Sequence, residues 1–326
     1  MTSASKSSNP VVSVVIPAYN AELWIEETLK SVLNQTYRNL EIIVVDDGSS
    51  DATVDVVRAM VEVDARIALV SQENGVVGSA RNHGIRLASG AYVAPLDADD
   101  LWHPDKIEKQ LQRFTECANQ GEPVGMVYCW SQSIDEGSRL LRTGTRAKPI
   151  EGHVFDQLCL ENFVGNGSSP LIDAALLRQV GGYQEQMPAG CEDWTLYLSI
   201  AHESAFGAVP EYLVGYRQLN NSMSRNIQRM VDAHEAMIEI LREKKTAVPR
   251  TGIRDGRTLL LYWMLTSSKL FSGTFWRLIR RLFYNDPLFM LRRVFLLKIK
   301  GLMVTRVFRI GYAPLGPDRP LYLESF

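Results

Sequence analysis

Two hydrophobic periods alternate along the first hundred residues. Val11–Ile16 (VVSVVI) is an unbroken apolar run closed by Pro17, the pattern of a strand buried on both faces. Asn20 then reads as the cap of a helix with Glu22 in its first turn, and Ile25, Leu29, Val32 and Leu33 fall on one helical face. Leu40–Val45 (LEIIVV) is a second strand, ended by Asp46-Asp47-Gly48. Thr53–Val63 reads as helix, Arg66–Val70 as a third strand and Gly78–Ala88 as helix. Ala91–Leu96 is a fourth strand, ended by Asp97-Ala98-Asp99-Asp100, and a helix is expected over Leu101–Phe114. Strand, helix, strand, helix predicts an α/β fold with a mainly parallel central sheet flanked by helices on both faces.

Sheets of this kind bind ligands beyond the carboxyl ends of their strands. Here those ends carry Pro17-Ala18-Tyr19-Asn20, Asp46-Asp47-Gly48-Ser49 and Asp97-Ala98-Asp99-Asp100. Asp97 and Asp99, two apart past a buried strand, suit a hard divalent cation that shares its oxygens with phosphate. The alternative is a plain turn in which Asp99 or Asp100 caps the next helix. Asp46–Ser49 has the same two readings: a tight turn before the helix at Thr53, or a carboxylate that accepts hydrogen bonds from a base or ribose. No GxGxxG follows the first strand and no GxxxxGK[ST] occurs, which argues against a dinucleotide-binding dehydrogenase and a P-loop NTPase.

Composition then narrows the class. The 326 residues are 46% hydrophobic and 22% charged, which excludes disordered and disulfide-scaffold chains. A net charge of −2 gives no bulk attraction to nucleic acid. That sum hides a split: residues 251–326 hold 13 Lys+Arg against 4 Asp+Glu, leaving 22 against 33 in residues 1–250. Cys117, Cys129, Cys159 and Cys191 are widely spaced and read as reduced thiols of a cytosolic protein. The polar start, 1–10, lacks a signal peptide's apolar run, and no stretch reaches the roughly 18–20 apolar residues of a spanning helix.

The segments VSVVIPAYN (12–20), SVLNQTYRNLEIIVVDDGSSD (31–51), GSARNHGI (78–85) and GAYVAPLDADD (90–100) resemble a family 2 glycosyltransferase with a GT-A fold. GGYQE (181–185), CEDWTLYLSIA (191–201) and YRQLNNSMS (216–224) continue the resemblance, which covers about 12–224. It implies an inverting enzyme that uses a nucleotide-diphospho-sugar, with a UDP-sugar expected first, and Mg²⁺ or Mn²⁺. Carried over, Pro17, Tyr19 and Asp47 resemble base and ribose contacts, Arg81 the cation facing the diphosphate, and Asp97 a ribose or metal-shell carboxylate. Asp99 resembles the metal ligand, Asp193 of Glu192-Asp193 the general base, and Arg217 a supporting residue facing the phosphates, with loop packing as its other reading. Without the resemblance, Glu192-Asp193 reads as helix-start acid favoured by the helix dipole. The family often carries His after YRx; Leu219 stands there, with Asn220 or Asn221 as substitute oxygen ligands.

The expected organisation is a disordered N-terminus (1–10), a GT-A domain (11–225) with a nucleotide-binding half (11–100) and an acceptor half (101–225), and a basic helical extension (226–326). The loop 162–169 is expected either to wall the acceptor side or to lie on the surface. In the extension, Lys269, Arg277, Arg280 and Arg281 share one side of a helix and Phe271, Phe275, Leu278 and Leu282 the other, flanked by Trp276 and Phe283. That pattern suits an interfacial helix on anionic lipid; alternatively it packs on the acidic body. A second basic segment, 288–310, has charges all round. The expected acceptor is a glycan or lipid-linked saccharide in cell-surface polysaccharide synthesis, handled in the cytoplasm or at the inner face of the plasma membrane. The competing functions are a non-catalytic nucleotide-sugar-binding protein with a degenerate metal site, favoured by Leu219, and a nucleotidyltransferase, which would want a Gly-rich cationic loop where this chain has PAYNAE.

Overall fold

The computed structural model describes residues 9–141, 149–188, 190–219, 227–243, 256–258, 261–262, 265, 272–287 and 322. Its eight strands are β1 (Val12–Ala18), β2 (Leu40–Asp46), β3 (Ile67–Ser71), β4 (Tyr92–Pro95), β5 (Leu101–Trp102), β6 (Val124–Ile134), β7 (Leu171–Asp173) and β8 (Ala205–Arg217). They form one sheet in the order β3-β2-β1-β4-β7-β6-β8-β5. The first four are parallel, as the alternating pattern predicts. β7 runs antiparallel to both β4 and β6, β8 lies parallel to β6, and β5 pairs antiparallel with β8 at the edge. The sheet is therefore continuous across residue 100, and both expected halves of the catalytic region share it.

Helices cover both faces because neighbouring strand residues point to opposite sides. Val12, Val14 and Ile16 meet α1 (Ile25–Leu33), α2 (Thr53–Val63) and α4 (Lys106–Asn119). Val15, Ile43, Val45 and Val93 meet α3 (Val77–Leu87), α5 (Phe155–Leu160), α6 (Ala174–Gln179) and α7 (Glu192–Glu203). α8 (Ile227–Glu243) adds Ala233, Met237 and Leu241 to the second core.

Two local expectations are corrected. Asn20 caps no helix: its φ is +48° and its Oδ1 accepts from the Ser50 N–H, while α1 begins only at Ile25. The helix expected at Leu101 begins at Lys106, because Leu101 and Trp102 pair instead with Gly215 and Val214. Asp100, offered as a helix cap, is buried and bonds elsewhere.

The extension folds back on the body. A last described helix, α9 (Gly273–Asn285), starts at Ser272, whose Oγ accepts from the Phe275 N–H. Phe275, Leu278 and Leu282 pack with Val231 of α8 and with Leu261, Tyr262 and Leu265. The face expected to enter lipid is thus buried in protein. Lys269, Phe271 and the segment 288–310 lie outside the described residues. Far along the chain, Tyr322 is fully buried with Leu101, Ile134 and Leu140, and its ring fills the space a Gly215 side chain would need, 2.9 Å from the position of an added Cβ.

Candidate active site

Parallel pairing sets the carboxyl ends of β1 and β2 side by side, with Ala18 opposite Asp46. Pro17 is half-buried in β1, and Tyr19 stands exposed just beyond it. Asp47 follows β2; its N–H donates to Ala18 O at 2.8 Å. Its Oδ1 accepts from Gln72 Nε2 at 2.8 Å and from the Gly75 N–H at 3.1 Å. The Asp47 side chain therefore anchors the 72–75 loop as well as standing at the crevice.

The centre of the site is Arg81, which α3 buries almost completely. Its Nη2 donates to Asp97 Oδ1 at 2.5 Å. Its Nη1 lies 3.2 Å from Asp193 Oδ1 and 3.5 Å from Glu192 Oε1, at the start of α7. The Asp193 approach is misaligned for a hydrogen bond, so Arg81 Nε, Arg81 Nη1 and Asp193 Oδ1 are all buried without a hydrogen-bond partner. Burial alone would pull the Arg81 guanidinium down, but Asp193 and Asp97 more than reverse this and hold it firmly charged. The Tyr183 ring lies 5.1 Å from its guanidinium carbon. A Cβ on Gly167 would sit 2.9 Å from Arg81 Nη2 and 3.1 Å from Asp193 Oδ2, so only glycine keeps that gap open.

Burial pushes the Asp193 carboxyl up to about 7; Arg81 opposes the shift, while Glu192 and Asp97 add to it. Glu192 holds the turn, its Oε2 accepting from the Gly190 N–H at 2.5 Å. The Cys191 thiol is raised to about 12 by burial and by the charges of Glu192 and Asp193, which makes it an inert packing group.

The turn after β4 is clamped from two sides. Ser168 Oγ accepts from the Asp97 N–H at 3.0 Å and donates to Asp100 Oδ2 at 2.5 Å. From the other side Arg217, fully buried, donates its backbone N–H to Asp100 Oδ1 at 2.9 Å and its Nε to Asp99 O at 2.6 Å. Arg217 Nη1 reaches Asp135 O, Glu136 O and Ser138 Oγ at 3.0–3.1 Å, and Nη2 reaches Glu27 Oε2 at 3.0 Å. Of the two readings of Arg217, the contacts agree with loop packing: its guanidinium is satisfied by protein oxygens from behind the turn. Leu219 is buried, and Asn220 and Asn221 lie outside the described residues.

Burial and the neighbouring charge of Asp97 raise the Asp99 carboxyl to about 6. Two crowded hard-oxygen donors fit a divalent cation, which would relieve their repulsion. Among the described residues no three His, Cys, Asp or Glu side chains gather as a metal cage.

Sequence reasoning brought Arg81, Asp97, Glu192 and Asp193 to one place, and the structure joins them. It missed Tyr183, Gly167, Ser168, Asp100, Glu27 and Ser138. Tyr183 stood inside the GGYQE segment and Gly167-Ser168 inside the 162–169 loop; Glu27 and Ser138 carried no local signal.

Comparison with known proteins agrees with this architecture. Residues 13–173 match glycosyl transferase family 2. TuaG of Bacillus subtilis (strain 168), named as a teichuronic acid biosynthesis glycosyltransferase, is 35% identical over 67% of this chain and 82% of its own length. Chondroitin synthase of Escherichia coli is 36% identical over 77% of this chain, which spans 34% of that larger protein. In fold the chain resembles S. aureus TarS 1–349 in complex with UDP-GlcNAc, with a TM-score of 0.57, 17% identity and coverage of 81% of this chain and 74% of TarS 1–349. It also resembles the mannosyltransferase PcManGT from Pyrobaculum calidifontis in complex with GDP-Man and Mn²⁺, with a TM-score of 0.52, 19% identity and coverage of 94% and 89%. The fold is thus that of the GT-A glycosyltransferases. The chain belongs to glycosyl transferase family 2.

Proposed function

We propose that this family 2 glycosyltransferase takes its sugar from a nucleotide-diphospho-sugar, a UDP-sugar first. It delivers that sugar with inversion to a hydroxyl of a glycan or lipid-linked saccharide, in cell-surface polysaccharide synthesis. One observation carries the reading: buried Arg81 stands between Asp97 and Asp193 with two nitrogens lacking hydrogen-bond acceptors. A diphosphate supplies anionic oxygens for such a cation, and charge-assisted bonds of this kind are the strong ones. The UDP-GlcNAc complex of TarS supports the donor class, and the names of TuaG and chondroitin synthase support the polysaccharide context. The free, buried thiols of Cys117, Cys129, Cys159 and Cys191 support a cytoplasmic setting.

Pro17, Tyr19 and Asp47, at the ends of β1 and β2, serve the base and ribose. Asp193 is the general base. With a carboxyl held near 7, it is poised to take a proton at neutral pH. The acceptor oxygen forms its bond to the anomeric carbon as the bond to the diphosphate breaks. The proton goes to Asp193 and the electron pair leaves with the diphosphate, whose charge Arg81 receives. Asp97 and Asp99 would hold Mg²⁺ or Mn²⁺. That cation, when bound, neutralises charge on the leaving diphosphate. Glu192 and Arg217 support the constellation from behind, Glu192 through Gly190 and Arg217 through Asp99 and Asp100.

A panel of nucleotide-diphospho-sugars, each with Mn²⁺, tests the reading by thermal stabilisation. A donor at a hundred times its Kd stabilises by about 2.7 kcal/mol, a clear upward shift in melting temperature. One donor is expected to respond, and NMR of its transfer product is expected to show an inverted anomeric configuration. Silence across the panel, or a retained configuration, overturns it.

A further inference from the structure

Helix α9 has two unlike faces. Phe275, Leu278 and Leu282 are buried against α8 and its neighbours. On the opposite side Phe283, Trp276, Arg280, Tyr284 and Arg277 fall within an arc of roughly 120° at 3.6 residues per turn. Trp276 is 56% exposed, Phe283 54% and Tyr284 72%, and Arg277 and Arg280 are exposed among them. The helix carries no acidic residue, and Arg277, Arg280 and Arg281 form no ion pair among the described residues. The Arg280 guanidinium lies 5.6 Å from the Tyr284 ring centre, so charge and ring are presented together.

We propose that this face docks the protein on an anionic phospholipid surface. Trp and Tyr have an apolar body and a polar tip, which suits the headgroup boundary. Arginine lays its stem along apolar groups and keeps its charge among phosphates. Charge complementarity selects the occupant and the orientation. Residues 251–326 carry nine more positive than negative charges, while residues 1–250 carry eleven more negative than positive. An anionic bilayer repels the body and attracts α9. A second copy would set Arg277 and Arg280 against their own equivalents in a two-fold contact. The docking face is the reverse of the one read from the sequence, because packing on α8 has already taken the aliphatic side.

The test uses the full chain without donor, acceptor or metal, so it is independent of the active-site reading. Protein carrying Asp193→Asn is expected to bind vesicles as the wild type does. Co-sedimentation is measured with vesicles containing phosphatidylglycerol and with vesicles of phosphatidylcholine alone. The wild type is expected to bind the first and not the second, more weakly as salt rises. Arg277→Gln and Arg280→Gln each lower the partition about fivefold. Joint replacement of Trp276, Phe283 and Tyr284 by Ser lowers it at least about tenfold in protein that remains folded by circular dichroism. Vesicle binding blue-shifts the tryptophan emission of the wild type but not of Trp276→Phe. Retained binding in the triple variant, or no preference for the anionic vesicles, overturns the proposal. So does a vesicle-free dimer that Trp276→Ser dissolves.

Discussion

Two buried arginines approach the same acidic turn, and they differ in what surrounds them. Arg217 reaches Glu27, Asp99, Asp135, Glu136 and Ser138, mostly at backbone carbonyls that never change charge. Arg81 meets Asp97, Glu192 and Asp193, all titratable, and keeps two nitrogens without acceptors. An arginine whose donors are met by its own chain is part of the scaffold. One that is buried with donors unmet carries a free-energy cost, which the diphosphate proposed above would relieve.

The largest effect expected from breaking this contrast is at the carboxylate that faces Arg81. Asp193→Asn removes the proposed base while keeping its shape. A loss of kcat of roughly 10²–10⁴-fold, with the donor Kd little changed, is expected in transfer assays and calorimetry. Activity that survives the change would return Asp193 to a helix-start role. Next comes Arg217→Met, which leaves Glu27 and several carbonyls without their partner. A destabilisation of about 3–5 kcal/mol is expected in chemical denaturation, because one member of a buried charged network is removed. Arg81→Lys keeps the charge and loses the fork. Donor affinity is expected to fall roughly tenfold to a hundredfold, with a far smaller stability change than at Arg217. If Arg81→Lys proved the more destabilising of the two, the contrast would collapse.

The pH dependence is a milder probe. Asp193 is surrounded by Arg81 from α3, Glu192 from α7, Asp97 from the β4 turn and Tyr183, and its carboxyl sits near 7. A base must be deprotonated to act, so kcat/KM is expected to rise with pH, about tenfold per unit below 7, and to level off above it. A flat profile from 5 to 8 would contradict the assignment.

The sequence revealed what is local. β1, β2 and β4 were legible because strands buried on both faces read as unbroken apolar runs, and their ends announced Asp47, Asp97 and Asp99. Arg81 and Asp193 were legible through segments that resemble the family. What depends on partners far along the chain was not. Leu101 and Trp102 read as helix because their strand partners, Val214 and Gly215, lie more than a hundred residues away. Arg217 was left between phosphates and loop packing because Glu27 and Ser138 gave no hint of meeting it. On α9 the 3.6-residue period put Phe275, Leu278 and Leu282 on one face but set Trp276 and Phe283 beside it, whereas both stand exposed with Arg277 and Arg280; periodicity carries no information about which face a neighbouring helix will cover.

Tyr322 adds a matter of timing. It closes an apolar floor made by Leu101, Ile134 and Leu140, and its N–H donates to Ser138 O, beside the contacts of Arg217. Tyr212, which its hydroxyl approaches, is made 110 residues earlier. At roughly 5–20 residues per second, a ribosome needs about 5–20 s to cover that distance. During that interval the floor of Leu101, Ile134 and Leu140 lacks Tyr322, and Ser138, which Arg217 contacts, lacks its Tyr322 partner. The crevice at the carboxyl ends of β1, β2 and β4 is complete well before the floor behind its acidic turn, so a nascent chain gains that crevice before it is braced.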